Sequence, residues 1–176
     1  DEPLVEDKKM IPPEAHGVKL ISMGFLVDEQ AALIWRGPML MGAVKQLLTD
    51  VRWGELDYLL VDLPPGTGDV QMTLTSSVPV SGAVVVTTPQ NIALLDAGRG
   101  ITMFRKLNVP VYGIVENMAS FVCPSCGHEE AIFGAGGGER QAAREGVPLL
   151  GRIPLEPAVR EAGDGGTPVV LSAPGS

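Results

Sequence analysis

The chain has 176 residues, 45% of them hydrophobic and 19% charged, so it suits one domain able to bury a core. Thirteen basic against 21 acidic residues leave a net charge of −8, which argues against a nucleic-acid backbone as the main partner. The longest apolar stretch, near residues 17–27, is short for a membrane span and interrupted by Lys19 and Ser22, and residues 1–9 (DEPLVEDKK) lack the basic-then-apolar order of a signal peptide.

Residues 1–16 are polar and proline-bearing and read as a loose lead-in to a domain over 17–176. Val18 to Val27 reads as a strand. Pro38 suits a first helical position, and Leu40, Val44, Leu47, Leu48 and Val51 follow at helical spacing. Tyr58 to Asp62 (YLLVD) is a continuous apolar run, which predicts a strand buried on both faces of a parallel sheet. A short helix over Asp69 to Val78 and another buried strand, Gly82 to Thr87 (GAVVVT), come next. Ile92 to Leu107 predicts a helix with Ile92, Leu95, Phe104 and Leu107 facing inward. Val111 to Val115 reads as a strand, and a loop near residues 119–133 holds the cysteines. A helix near Gly138 to Glu145, a strand at Leu149 to Ile153 and a helical turn near Glu156 to Ala162 complete the series. The alternation implies an α/β fold, a mostly parallel sheet flanked by helices.

Ligands of such sheets sit at the carboxyl ends of the strands, and polar residues collect there: Asp62, then Thr87-Thr88-Pro89, then Glu116-Asn117. An acid after four apolar strand residues suits a Walker B role, holding Mg²⁺ beside nucleotide phosphates. In the following turn, Pro64-Pro65-Gly66-Thr67-Gly68, the Gly66 N–H could bond a terminal phosphate and be released after hydrolysis. The plainer alternative has Asp62 cap the next helix and the turn serve only as a tight connection. No GxxxxGK[ST] phosphate loop occurs in the chain. The glycine run Gly134 to Gly138, whose nearest basic residue is Arg140, better suits an exit from the cysteine loop into a helix than a phosphate cradle.

The two cysteines stand in Cys123-Pro124-Ser125-Cys126-Gly127-His128. Two residues make no disulfide scaffold, so a reducing, cytoplasmic setting is the default. CxxC turns two thiolates toward one metal, and its Pro and Gly shape a knuckle that aims backbone N–H groups at sulfur. A redox CxxC usually opens a helix after a strand, whereas this one lies in a loop bounded by Gly and Pro, so metal binding is favoured. Zinc and iron–sulfur both want four ligands, and this chain offers two; a two-fold pair of chains would supply the set. His128 would complete a zinc site only with a further ligand.

The runs GFLVDEQAALIWRGPMLMGAVKQLLTDVRWGELDYLLVDLPPGTGDVQMTL (24–74) and SGAVVVTTPQNIALLDAGRGITMFRKLNVPVYGIVENM (81–118) are followed by CPSCG, IFGAGGGER and VPLLGRIPLEPAVREAGDGGTPVV. In this order they resemble the Mrp-type iron–sulfur carrier ATPases, of the MinD-like, deviant Walker A class of P-loop proteins that includes the nitrogenase iron protein. The resemblance covers nearly the whole chain from about Ile11. It implies a homodimer that binds and hydrolyses ATP with Mg²⁺. It further implies a labile 4Fe-4S cluster held between the subunits by Cys123 and Cys126 of each, and passed to apo iron–sulfur client proteins. On the same resemblance Asp62 matches the Walker B acid and Gly66 lies in the segment that senses the γ-phosphate. Asn117 matches the residue that reads adenine, and Pro154 and Glu156 the segment lining the adenine pocket. Against these stand plainer roles: Asn117 as a turn residue, Pro154 as a strand terminator, Glu156 as a first-turn helix acid. Trp35-Arg36-Gly37-Pro38 also matches, with Trp35 read as a packing residue.

The resemblance also carries a departure. The family begins with a strand, a deviant Walker A loop, a helix and a second strand, none of which is found here, so residues 17–176 read as the C-terminal two-thirds of a P-loop domain, N-terminally truncated. The expectation is that this chain alone neither binds ATP tightly nor hydrolyses it. Two other readings stay open: a non-enzymatic zinc- or cluster-binding dimer, and a MinD-like positioning ATPase at a membrane. The last is disfavoured because TPVVLSAPGS carries no basic amphipathic helix.

Overall fold

Three consecutive valines in GAVVVT favour extended backbone, and in a computed structural model of the chain they form strand β5 (Ala83–Thr87). The structure describes residues 3–25, 37–64 and 68–174. It divides into two units, Asp1–Val80 and Ser81–Ser176.

In the second unit β5 pairs in parallel with β6 (Val111–Asn117), and β6 pairs in parallel with β9 (Leu149–Ile153), so β6 lies between the other two. Helix α3 (Asn91–Lys106) connects β5 to β6, and α4 (Gly137–Glu145) precedes β9. Between β6 and α4 stands a small antiparallel hairpin, β7 (Phe121–Val122) and β8 (Glu129–Glu130). Two short helices follow the sheet, α5 (Pro157–Asp164) and α6 (Val169–Ser172). Ile101 of α3, Ile114 of β6 and Ala142 of α4 form the buried centre, with Val85, Val111, Val147 and Leu149 packed around them. Removing such side chains from water is the main term holding helices on the sheet. Arg105 and Lys106 close α3 with positive charge at its negative end, and α4 stops at Gly146 in the left-handed conformation that suits glycine there.

The first unit holds two hairpins in series, β1 (Val5–Glu6) with β2 (Lys9–Met10) and β3 (Glu14–Ala15) with β4 (Val18–Lys19). Both turns, Asp7-Lys8 and His16-Gly17, have two successive positive φ angles, which matches the right-handed twist of the strands they join. Helix α1 (Gly37–Thr49) and helix α2 (Asp69–Ser77) follow. The first hairpin is tied to the end of α1: Met10 N–H donates to Asp50 O at 2.7 Å, Arg52 N–H to Met10 O at 2.8 Å, and Lys9 Nζ to Thr49 O. Lys19 Nζ bonds Trp53 O at 2.7 Å. Residues expected to be a loose lead-in thus carry paired strands.

Four expectations about elements are corrected. Tyr58 to Asp62 forms no strand; Tyr58 is 84% exposed and Leu60 91%. Apolar content makes a strand only where a neighbour completes its ladder, and no described strand pairs with this run. The strand foreseen over Val18 to Val27 shrinks to β4 and a 3₁₀ turn at Met23–Phe25; Leu20, Ile21 and Ser22 between them join no strand, and residues 26–27 lie outside the described residues. β5 is not buried on both faces, since Val84 and Val86 are exposed. In α3 the inward face is Leu94, Ala97, Gly98 and Ile101, while Ile92 and Leu95 face water. The helical period was legible, but its phase is set by packing against the sheet and α4, where Gly98 admits Gln141.

Candidate functional site

Asn117 is the last residue of β6 and pairs in register with Ile153, the last of β9. Beyond that pair the chains stay joined: Ala119 N–H donates to Ile153 O at 3.0 Å and Leu155 N–H to Ser120 O at 2.7 Å. Pro154 therefore stands beside Asn117, and Glu156 follows as the cap of α5, with Pro157 at its first turn. All three are half-buried. The structure thus brings together three of the residues singled out above, at the carboxyl ends of two parallel strands. Asn117 Oδ1 accepts the Met118 N–H at 3.0 Å, which leaves one lone pair and the amide NH₂ for another partner. A neighbouring donor and acceptor of this kind match a planar, heteroaromatic edge. Met118 sits at φ 54, unusual for a side-chain-bearing residue, and turns the chain from the sheet into the cysteine loop.

The loop's hairpin raises the CxxC to its tip. Val122 pairs with Glu129, Cys123 N–H donates to His128 O at 2.9 Å, and Gly127 N–H, at φ 71, donates to Cys123 O at 2.8 Å. Both thiols are free; Cys123 is half-buried and Cys126 exposed. Hydrogen bonds from the Ser125 backbone first, then from the Cys126 backbone and side chain, hold the Cys123 thiol below its ordinary pKa, partly opposed by burial. Amides pointing at sulfur favour the thiolate, the form that ligates metal. Among the described residues no group of three or more His, Cys, Asp and Glu side chains could hold a metal ion. The donor set is two free thiols, one half-buried and one exposed, chemically suited to a soft metal or cluster and short of four ligands.

Asp62 lies in the first unit, exposed, in the non-regular stretch before Pro64. Gly66 falls outside the described residues, as do Trp35 and Arg36. What the structure adds there is Gln71, 4% exposed. Its Oε1 accepts Gly68 N–H at 2.9 Å and its Nε2 approaches Pro64 O at 3.5 Å, so one amide bridges the two ends of the glycine turn. Sequence reasoning missed Gln71; its place three residues after Gly68, at the third position of α2, was the available signal. Glu116 was noticed only as a strand-end polar residue, and it is buried to 1% exposure.

A parallel α/β sheet with polar strand ends defines a nucleotide-binding-type fold, here joined to a loop that carries two free thiols. A family model described as NUBPL iron-transfer P-loop NTPase, of the ParA group, matches residues 1–176, and the chain belongs to that family. It is 53% identical, over 99% of its length, to an iron-sulfur cluster carrier protein of Pseudomonas fragi. It is 54% identical, over 95% of its length, to the iron-sulfur cluster transfer protein NUBPL of Mus musculus. The chain spans 61% and 52% of those two proteins. Among solved structures, a nucleotide-binding protein of Archaeoglobus fulgidus in complex with ADP is similar with a TM-score of 0.76 and 35% identity, over 94% of this chain and 64% of that one. The cell-division ATPase MinD of Pyrococcus furiosus is similar with a TM-score of 0.56 and 26% identity, over 85% of this chain and 56% of that one. The P-loop NTPase, MinD-like α/β fold expected above is therefore established.

Proposed function

We propose that the chain is the cluster-holding and base-facing part of an iron–sulfur carrier whose grip on its cargo responds to a bound nucleotide. The observation that carries this reading is the pair of free thiols on one hairpin tip, with no third ligand among the described residues. The names of the relatives support it. In this reading two copies face each other, and Cys123 and Cys126 of each hold a 4Fe-4S cluster as cargo. Release is ligand exchange, in which client thiolates displace these four and no electron need move. Asn117 meets the adenine edge of ATP, Pro154 and Glu156 line the pocket, Asp62 holds Mg²⁺ through water, and Gly66 reads the terminal phosphate. These 176 residues contain no GxxxxGK[ST] phosphate loop, so the chain by itself is expected to be inactive in ATP hydrolysis. Since the cysteine loop leaves β6 directly after Asn117, a nucleotide that shifts this strand end shifts the loop's root.

Anaerobic reconstitution with iron and sulfide tests the reading. A broad visible charge-transfer absorption, two chains per four irons by mass and iron analysis, and loss of both in Cys123→Ala or Cys126→Ala are expected. A monomer carrying a complete cluster, or a chain that takes up zinc and never iron–sulfur, would refute it.

A further inference from the structure

Glu116 is a buried acidic side chain of the second unit with a geometry the proposed chemistry leaves unused. It stands on β6 at 1% exposure, one residue before Asn117. A carboxylate this deep is costly unless it is both paired and hydrogen-bonded. Here it is both. Its Oε2 accepts the N–H of Gly138, in the first turn of α4, where the free amides and the helix dipole favour an anion. Its Oε1 lies 3.5 Å from Arg152 Nε, and Arg152 is its register partner on β9. Arg152 in turn bonds Glu139 of α4 at 2.6 Å. Gly138 is needed for this approach, since a Cβ there would lie 2.8 Å from Glu116 Oε2.

The cysteine loop leaves the sheet at Met118 and re-enters the helical layer at Gly137, so both of its roots lie within two residues of a Glu116 contact. We infer that Glu116, with Arg152, is a positioning residue that clasps the two roots of the cysteine loop together and to β9. Strand end, loop and α4 then move as one body. The clasp gives the thiol pair a fixed presentation relative to Asn117 and Pro154, and it is the element through which a shift at those strand ends reaches the knuckle. Its importance for cargo rests on the carrier reading; its existence does not.

Amide hydrogen exchange on the metal-free chain tests the clasp directly. In Glu116→Ala, exchange at the Cys123 and Gly127 amides should rise about 10-fold while the buried amides of α3 keep their protection, because the opening is local. A general loss of stability would instead speed α3 equally, and that result would overturn the proposal. Glu116→Gln keeps the volume and an acceptor for Gly138 but loses the charge pair. It and Arg152→Ala should each raise loop exchange about 3-fold, and the double variant no further, since both remove the same pair. These two variants decide the matter if the alanine variant fails to fold, and loop exchange unchanged in both refutes the clasp. In reconstituted chain, cluster loss to a chelator should quicken in the same order. Should wild-type chain take up no cluster, the carrier reading falls while the exchange result still judges the clasp.

Discussion

Replacing Gly137 by alanine puts a methyl group where the structure has no room. The added Cβ would meet the backbone carbonyl oxygen of Pro89 at 2.5 Å, Pro89 Cα at 2.9 Å and Leu94 Cδ1 at 3.0 Å. An ordinary carbon–oxygen contact is about 3.3–3.6 Å, so the start of α4 must retreat by roughly 1 Å. Two of the three obstacles are backbone, and no rotamer change can relieve them. Overpacking of this kind costs about 1–3 kcal/mol, set against the roughly 0.5–1 kcal/mol that alanine recovers in a helix. A net destabilisation of about 1 kcal/mol is expected. Gly100, in the interior of α3, is the control, because a Cβ there has nothing within 4 Å. Gly100→Ala should stabilise by about 0.5–1 kcal/mol. Urea unfolding with equal m-values for the three proteins measures both shifts. If Gly137→Ala were as stable as the wild type, the packing of the β5–α3 connection on α4 would be wrong as described, and with it the placing of Gly138 against Glu116.

Two further outcomes are expected. Alkylation of Cys123 by iodoacetamide, followed by mass spectrometry across pH, should show a midpoint below the ordinary thiol range, because the hydrogen bonds at its sulfur favour the thiolate. The sign carries over to folding: a depressed pKa contributes stability above the unfolded thiol's pKa and loses it as pH falls through the folded value. A midpoint at or above that of a free cysteine would refute it. Leu60→Ser should change the urea midpoint by less than about 0.5 kcal/mol, because Leu60 is 91% exposed. A strand buried on both faces would instead lose roughly 3 kcal/mol or more.

The local pattern of the chain determined much on its own. Helices α1 to α5 and strands β5, β6 and β9 fall close to where apolar period, Pro38 and the glycines put them, because these signals act within a few residues. The CxxC knuckle and the strand-end Asn117 were legible for the same reason: spacing and position within an element are written in the chain. Pairing was not. YLLVD reads as a buried strand from composition, yet a strand exists only with a neighbour, and neighbours are a property of the whole fold. The phase of α3, with Ile101 rather than Ile92 inward, waited on where the sheet and α4 pack. Glu116 and Gln71 looked like ordinary polar residues, and only tertiary structure decided what each of them holds. Glu116 meets Gly138 across 22 residues of sequence, and a carboxylate's burial and partners at that range depend on chain geometry that no local pattern encodes.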